Sequence, residues 1–194
     1  QPCSSAASDV YKRQILYALI QAAVLVTVAW SALAFYLLDN TAIVNEYSLL
    51  ESAQVCLLLL SLIITIYIAF DRVREDKIIS VVLSIALFGG LLREIDIEDF
   101  NVPMWVIAIG SGSGRTLLLS LMLAPVLLFM IMKHHEYYGL VKKYFMSQVG
   151  LSLVLSFCLL LLGSFFEHEY LLSRTLIEES FELIAYGLFL GECS

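Results

Sequence analysis

The chain has 194 residues, of which 60% are hydrophobic and 15% are charged, and its formal net charge is −7. A soluble domain of this length cannot hide so much apolar surface from water, so the composition excludes an ordinary soluble enzyme. The negative charge also excludes a nucleic-acid partner, since no basic cluster offsets it, and leaves the lipid bilayer as the expected surrounding.

The amino-terminal segment is set apart from the rest of the sequence. Residues 4–14, Ser-Ser-Ala-Ala-Ser-Asp-Val-Tyr-Lys-Arg-Gln, resemble translated sequencing adapter, which contaminates the ends of metagenomic reading frames. We interpret residues 1–14 as an artefactual or disordered terminus and exclude them from fold reasoning. Residues 15–194 are expected to form one transmembrane domain.

Apolar runs long enough to cross about 30 Å of hydrocarbon predict six helices. They cover about 15–38, 47–70, 78–95, 116–132, 144–166 and 171–190. Between the third and fourth, Val102–Ile109 predicts an interfacial or re-entrant segment anchored by Trp105, followed by a flexible glycine-serine turn over 110–114. The expected fold class is therefore all-α, a polytopic transmembrane bundle of about six helices.

The basic residues predict the orientation of these helices. With the adapter-like residues set aside, six lysines and arginines fall on one side of the predicted bundle and three on the other. The first group is Arg72, Arg74, Lys77, Lys133, Lys142 and Lys143, and the second is Arg93, Arg115 and Arg174. This distribution predicts that both termini are cytoplasmic.

A polar stripe runs along the second predicted helix. Glu51, Gln54, Leu58, Ser61 and Thr65 fall within an arc of roughly 80° at 100° per residue. A surface that faces lipid would not carry such a stripe, so it predicts the side of the helix that faces the bundle interior.

The end of the third helix carries a second group of charges. Arg93 and Asp96 are three residues apart and can form an ion pair, which is the structural interpretation. Glu94 lies on the same face as Ser80 and Ser84, and the functional interpretation makes it an ion ligand or proton carrier.

The sixth helix carries the densest acidic group. Glu178 and Glu182 are one turn apart, and Glu179 and Tyr186 lie alongside them. Bare like charges in so narrow an arc cost free energy, so a cation, shared protons or an arginine is expected to neutralise them.

His168 follows the fifth helix, close in sequence to these acids. One histidine with several carboxylates suits a hard cation, which makes a divalent cation the possible cofactor. The candidate metal ligands are Glu51, Glu94, His168, Glu178 and Glu182. As a lone interfacial histidine, His168 is more often an ordinary boundary residue.

The placement of acids along the chain is similar to that in a group of known proteins. Glu51 opens helix two, Leu92-Arg-Glu-Ile-Asp96 closes helix three and Glu178-Glu-Ser-Phe-Glu182 opens helix six. In this placement the chain resembles uncharacterised multi-spanning bacterial inner-membrane proteins, over most of residues 15–190. The resemblance implies a multi-pass protein of the bacterial inner membrane and implies no activity.

Three functions remain open. The first is an outward-facing carboxylate site that binds or moves a cation or proton, with Glu51, Glu94, Asp96, Glu178, Glu179 and Glu182 as candidates and Gln54, Arg93, His168 and Tyr186 in support. The second is a metal-dependent membrane hydrolase. The third is a structural subunit whose acids form ion pairs with arginines, within a homo-oligomer or with a membrane-protein partner.

Overall fold

The computed structural model describes residues 3–37, 49–70, 77–95, 97–99, 101–166 and 172–193, and every regular element in these ranges is a helix. Eight α-helices lie in the described residues, with a short 3-10 helix at Ile97–Asp99 between the third and the fourth. They are α1 (Cys3–Leu37), α2 (Leu49–Phe70), α3 (Lys77–Glu94), α4 (Met104–Gly110), α5 (Gly112–Met132), α6 (His134–Phe145), α7 (Gln148–Phe166) and α8 (Leu172–Cys193).

The chain divides into two compact units. The first comprises Gln1–Leu57 and Val149–Ser194, which include α1, the first part of α2, α7 and α8. In it, α1 packs along α8. Its apolar core is a cluster of four buried side chains, Val24, Leu50, Leu176 and Leu183, contributed by α1, α2 and α8. This core holds the acidic helix α8 against two apolar neighbours.

The second unit comprises Leu58–Gln148. Here α5 packs against both α3 and α4. The side chain of Arg115, in the first turn of α5, donates a hydrogen bond of 3.1 Å to the backbone oxygen of Leu92 near the end of α3. A basic side chain at that position satisfies one of the carbonyl groups that a helix end leaves without an intrahelical partner.

Four helical segments are long and apolar enough to cross a membrane: Gln14–Leu37, Leu49–Phe70, Gly112–Met132 and Gln148–Phe165. Many of their large apolar side chains are exposed, as in α5, none of whose residues is buried. Exposed apolar surface of this extent needs a nonpolar surrounding. The all-helical fold is therefore confirmed, together with four helices that can cross a membrane.

The predicted count of six spans is not confirmed. Helices lie at the third and sixth predicted positions, as α3 and α8, but neither is among the four candidate spans. Both carry several charged residues, including Lys77, Arg93 and Glu94 in α3. Charges lower the hydropathy by which a lipid-facing span is recognised.

The flexible turn predicted over 110–114 is wrong. Only Ser111 separates α4 from α5, and Gly112 and Gly114 belong to the first turn of α5. Gly112 has a φ of 49°, in the left-handed region that glycine adopts without strain. A Cβ on Gly114 would overlap the carbonyl oxygen of Ala108. These glycines therefore allow a tight reversal between two packed helices.

Helix α6 was not predicted as a separate element, because the fifth predicted span begins only at residue 144. Its twelve residues include three tyrosines and two histidines but only two aliphatic side chains, Leu140 and Val141, so it contains no apolar run of spanning length. A helix at this position can be recognised only from the separation of its apolar and polar residues onto two faces.

Candidate functional site

Helix α8 is enclosed within the first unit although it carries four glutamates, three of them clustered at Glu178, Glu179 and Glu182. Its buried residues are Leu176, Glu182, Leu183, Ala185, Tyr186, Gly187 and Leu190. At 100° per residue these positions cover an arc of about 200°. More than half of the helix surface is therefore turned toward protein, and the acidic residue Glu182 lies within the enclosed arc with a side chain only 2% exposed.

A hydrogen bond between helices fixes the position of Glu179. The Nε2 atom of Gln54, in α2, donates to the Oε2 atom of Glu179 at 2.6 Å and to the backbone oxygen of Glu179 at 3.0 Å. Gln54 is fully buried. A short bond from a buried amide to a carboxyl group is among the stronger interhelical interactions, so α2 holds this acid in one orientation.

The second polar atom of the same amide is available as an acceptor. The Oε1 atom of Gln54 is buried and has no hydrogen-bond donor among the described residues. It lies on the same amide group that contacts Glu179. We name Gln54, Glu179 and Glu182 together the α2–α8 site, since Glu182 is three residues from Glu179 and neighbours it on the helix surface.

Helix α7 approaches the α2–α8 site at a glycine. A Cβ on Gly163 would lie 3.6 Å from the Cγ atom of Glu182, 3.6 Å from the backbone oxygen of Glu178 and 3.8 Å from the Cβ atom of Phe181. The absence of a side chain at this position lets the α7 backbone pass close to the glutamates. The site is thus walled by α7 on the side of Glu182.

Helix α1 contacts α8 one to two turns beyond the site. The Nε2 atom of Gln21 donates a hydrogen bond of 2.9 Å to the backbone oxygen of Gly187. Like the Gln54 bonds, this bond joins an apolar helix to α8. Its acceptor is a neutral backbone carbonyl, whereas Gln54 donates to a carboxyl group as well as to a backbone carbonyl. It offers a natural comparison for the role of Gln54.

The predicted site residues fall into three groups. The structure brings together Gln54, Glu179 and Glu182, with buried Tyr186 one turn further along α8, half-buried Glu178 one turn before Glu182, and half-buried Glu51 one turn before Gln54 in α2. Arg93 and Glu94 belong to the second unit, at the end of α3. Asp96 and His168 lie outside the described residues.

The polar stripe predicted on the second helix is largely the buried face of α2. Gln54, Leu58, Ser61 and Thr65 are each at most 2% exposed. Thr65 donates its hydroxyl hydrogen to the backbone oxygen of Ser61 at 2.9 Å, which satisfies that hydroxyl within its own helix. The prediction that this stripe faces protein is confirmed for these four residues.

Within the described ranges, no group of three or more His, Cys, Asp or Glu side chains is arranged to hold a metal ion. The oxygen atoms that the α2–α8 site offers to a bound ion belong to two carboxyl groups and one amide. Such a set of oxygen atoms matches a proton or a small hard cation.

Sequence reasoning missed Gln21 and Gly163 as neighbours of the acidic helix. For Gln21 a signal existed, since a lone glutamine within an apolar run commonly forms an interhelical hydrogen bond. For Gly163 no local signal separates a close helix crossing from a glycine with another role.

Comparison with known proteins adds no relative to this description: no protein-family model, no curated protein and no solved structure matches the chain.

Proposed function

We propose that this chain is a multi-pass membrane protein whose α2–α8 site binds a proton or a small cation inside the first unit. One observation carries the proposal. The fully buried amide of Gln54 donates a hydrogen bond to the carboxyl group of Glu179. Glu179 lies one turn from the buried Glu182, beside an apolar core contributed by α1, α2 and α8.

The electrostatics of the α2–α8 site support this function. Two carboxyl groups three residues apart repel one another when both are ionised, and the repulsion grows in an interior of low dielectric constant. A proton or cation between them removes that repulsion. The Oε1 atom of Gln54, which lacks a donor among the described residues, supplies a further oxygen for a cation or an acceptor for a protonated carboxyl group.

The cost of placing acids inside a membrane protein points the same way. Ionisable side chains within the membrane-embedded part of a protein are rare. They face the protein interior or a polar cavity, where they commonly serve ion or proton transfer. In the proposed setting, the chain lies in a bacterial inner membrane, as the resemblance implies. Both termini are cytoplasmic, as its lysines and arginines predict.

The test is cation-dependent thermal unfolding of the full chain in detergent, at constant ionic strength. Sodium, potassium, magnesium, calcium, manganese and zinc salts are compared. A cation that binds only the folded state stabilises it by about 2.7 kcal/mol when its free concentration is about 100 times its Kd. We expect one of these ions to raise the unfolding temperature of the wild type but not that of Glu182→Gln.

Where no cation has this effect, the same variants are tested for proton flux into liposomes under an imposed pH gradient. Gln21→Leu is the matched control, because it removes an interhelical bond to α8 without touching a carboxyl group. It should lower stability yet retain the cation or proton response, whereas Gln54→Leu should weaken that response.

A structural role gives a different result. If Glu182→Gln and Gln21→Leu both change only the unfolding temperature, and the wild type shows neither a cation effect nor proton flux, the acids serve packing and the proposal is wrong.

A further inference from the structure

Helix α6 joins two segments that can each cross a membrane. It begins at His134, two residues after α5 ends at Met132, and α7 begins at Gln148, three residues after α6 ends at Phe145. The backbone of Lys133, with φ −106° and ψ 29°, departs from helical geometry between α5 and α6. Helix α6 is therefore a separate element at the end of an apolar span.

The chain changes direction at Lys133. The ring centroids of Phe129, in α5, and Tyr137, in α6, are 5.9 Å apart. In one straight helix, eight residues would separate them by about 12 Å along the axis. Helix α6 therefore bends away from the axis of α5 instead of prolonging it.

The residues of α6 divide into two faces. At 100° per residue, Leu140, Tyr144, Tyr137, Val141, Phe145 and Tyr138 occupy an arc of about 160°. The opposite arc carries His135, Glu136, Gly139, Lys142 and Lys143. His134, the first residue of α6, also falls inside the apolar arc. Its ring lies against that of His135, with 3.9 Å between the ring centroids.

The apolar face is only partly covered by protein. Tyr137, Leu140, Val141 and Tyr144 are half-buried, whereas Tyr138 is 71% exposed and Phe145 is 45% exposed. Exposed aromatic side chains beside the end of a membrane-spanning helix are typical of the boundary between hydrocarbon and headgroups. The exposed Tyr138 and Phe145 side chains therefore suit contact with the part of the acyl chains that lies next to the headgroups.

The polar face carries local positive charge in a chain whose net charge is −7. Lys142 and Lys143 are exposed, and neither contacts an acidic side chain of the described residues. Glu136 is instead bonded to Lys133, with 3.2 Å between Nζ and Oε2. The two exposed lysines place positive charge on the polar face of α6, where it attracts anions.

We propose that α6 lies along the membrane surface and binds the headgroup of an anionic phospholipid through Lys142 and Lys143, with Tyr138 and Phe145 entering the acyl region. Amphipathic helices with lysines on the polar face and aromatic residues on the other bind membranes in this way. The charge of the lysines and the exposure of the aromatic edge select an anionic lipid as the occupant. The inference does not depend on the α2–α8 site.

The test is native mass spectrometry of the full chain in detergent, with equal amounts of phosphatidylglycerol and phosphatidylcholine added. We expect the wild type to retain phosphatidylglycerol preferentially. Each basic residue near an anionic surface contributes a factor of about five to binding. The double variant Lys142→Gln/Lys143→Gln should therefore lose roughly 25-fold of that preference, whereas Lys142→Arg/Lys143→Arg should keep it.

Two further measurements separate a lipid from other anions. Soluble glycerol phosphate, at the same concentration, should not displace the lipid, because it lacks acyl chains for Tyr138 and Phe145 to contact. Hydrogen exchange in nanodiscs should be slower across α6 when phosphatidylglycerol is present. An unchanged preference in the glutamine variant, displacement by glycerol phosphate, or equal exchange in both lipids would each overturn the proposal.

Discussion

A pair of glycines at the helix contacts of the first unit gives the sharpest quantitative test of its packing. A Cβ on Gly187, in α8, would lie 2.8 Å from the Cγ2 atom of Val24, about 0.6 Å short of the 3.4 Å at which ordinary contact begins. Val24 is buried and β-branched, so its side chain has little freedom to turn aside. Gly187→Ala therefore pushes α1 away from α8.

The size of the effect follows from two opposing contributions. Overpacking of a tight contact costs about 1–3 kcal/mol, and replacing glycine by alanine within a helix returns about 0.5–1 kcal/mol. The separation of α1 from α8 also lengthens the Gln21 bond to the backbone oxygen of Gly187, now 2.9 Å. We expect Gly187→Ala to lower the free energy of unfolding by about 1–2 kcal/mol.

The matched control is Gly163→Ala. Its Cβ would meet neighbours at 3.6–3.8 Å, which is ordinary contact. With no overlap, the helix propensity of alanine prevails, and the variant should be as stable as the wild type or more stable by up to about 1 kcal/mol. Reversible unfolding in mixed micelles, followed by circular dichroism, measures both variants. The packing argument is wrong if Gly163→Ala costs as much as Gly187→Ala.

The same unfolding measurement tests the second unit and its surface. Gly114→Ala should cost more than about 2 kcal/mol, because its Cβ would overlap the Ala108 carbonyl oxygen, whereas Gly139→Ala, with nothing within 4 Å of the added carbon, should gain about 0.5–1 kcal/mol. If both substitutions lowered the free energy of unfolding, or both raised it, the contacts described for these glycines would be contradicted. Glu136→Gln should cost under about 0.5 kcal/mol, because both partners of the Lys133–Glu136 pair are largely exposed, at 47% and 67%. A loss above 1 kcal/mol that persists in high salt would contradict a weak surface pair.

Apolar runs made the long helices predictable. The second span, expected over 47–70, is α2 at Leu49–Phe70, and the fifth, expected over 144–166, contains α7 at Gln148–Phe166. The buried side of α2 was also predictable, because Gln54, Ser61 and Thr65 recur at helical spacing. Both features are local, so a single sequence contains them.

Contacts between distant residues were not predictable in the same way. Gln54 and Glu179 are 125 residues apart, and their hydrogen bond depends on how α2 meets α8. The reversal at Ser111 was mistaken for a flexible turn, because glycine-serine composition is the same whether glycine serves flexibility or close approach. Only the position of Ala108 beside Gly114 distinguishes the two.

Helix α8 shows why hydropathy alone does not find the interior of such a bundle. Hydropathy measures suitability for contact with lipid, and α8 is not among the candidate spans. A helix enclosed by other helices does not meet that requirement, because its polar groups are solvated by protein. Around α8, Leu50 and Gln54 of α2, Val24 of α1 and Gly163 of α7 provide the enclosure. The glutamates that disqualify α8 as a lipid-facing helix are therefore the reason to expect it inside the bundle, where the apolar helices exclude water and a proton or cation bound by Glu179 and Glu182 would interact with them strongly.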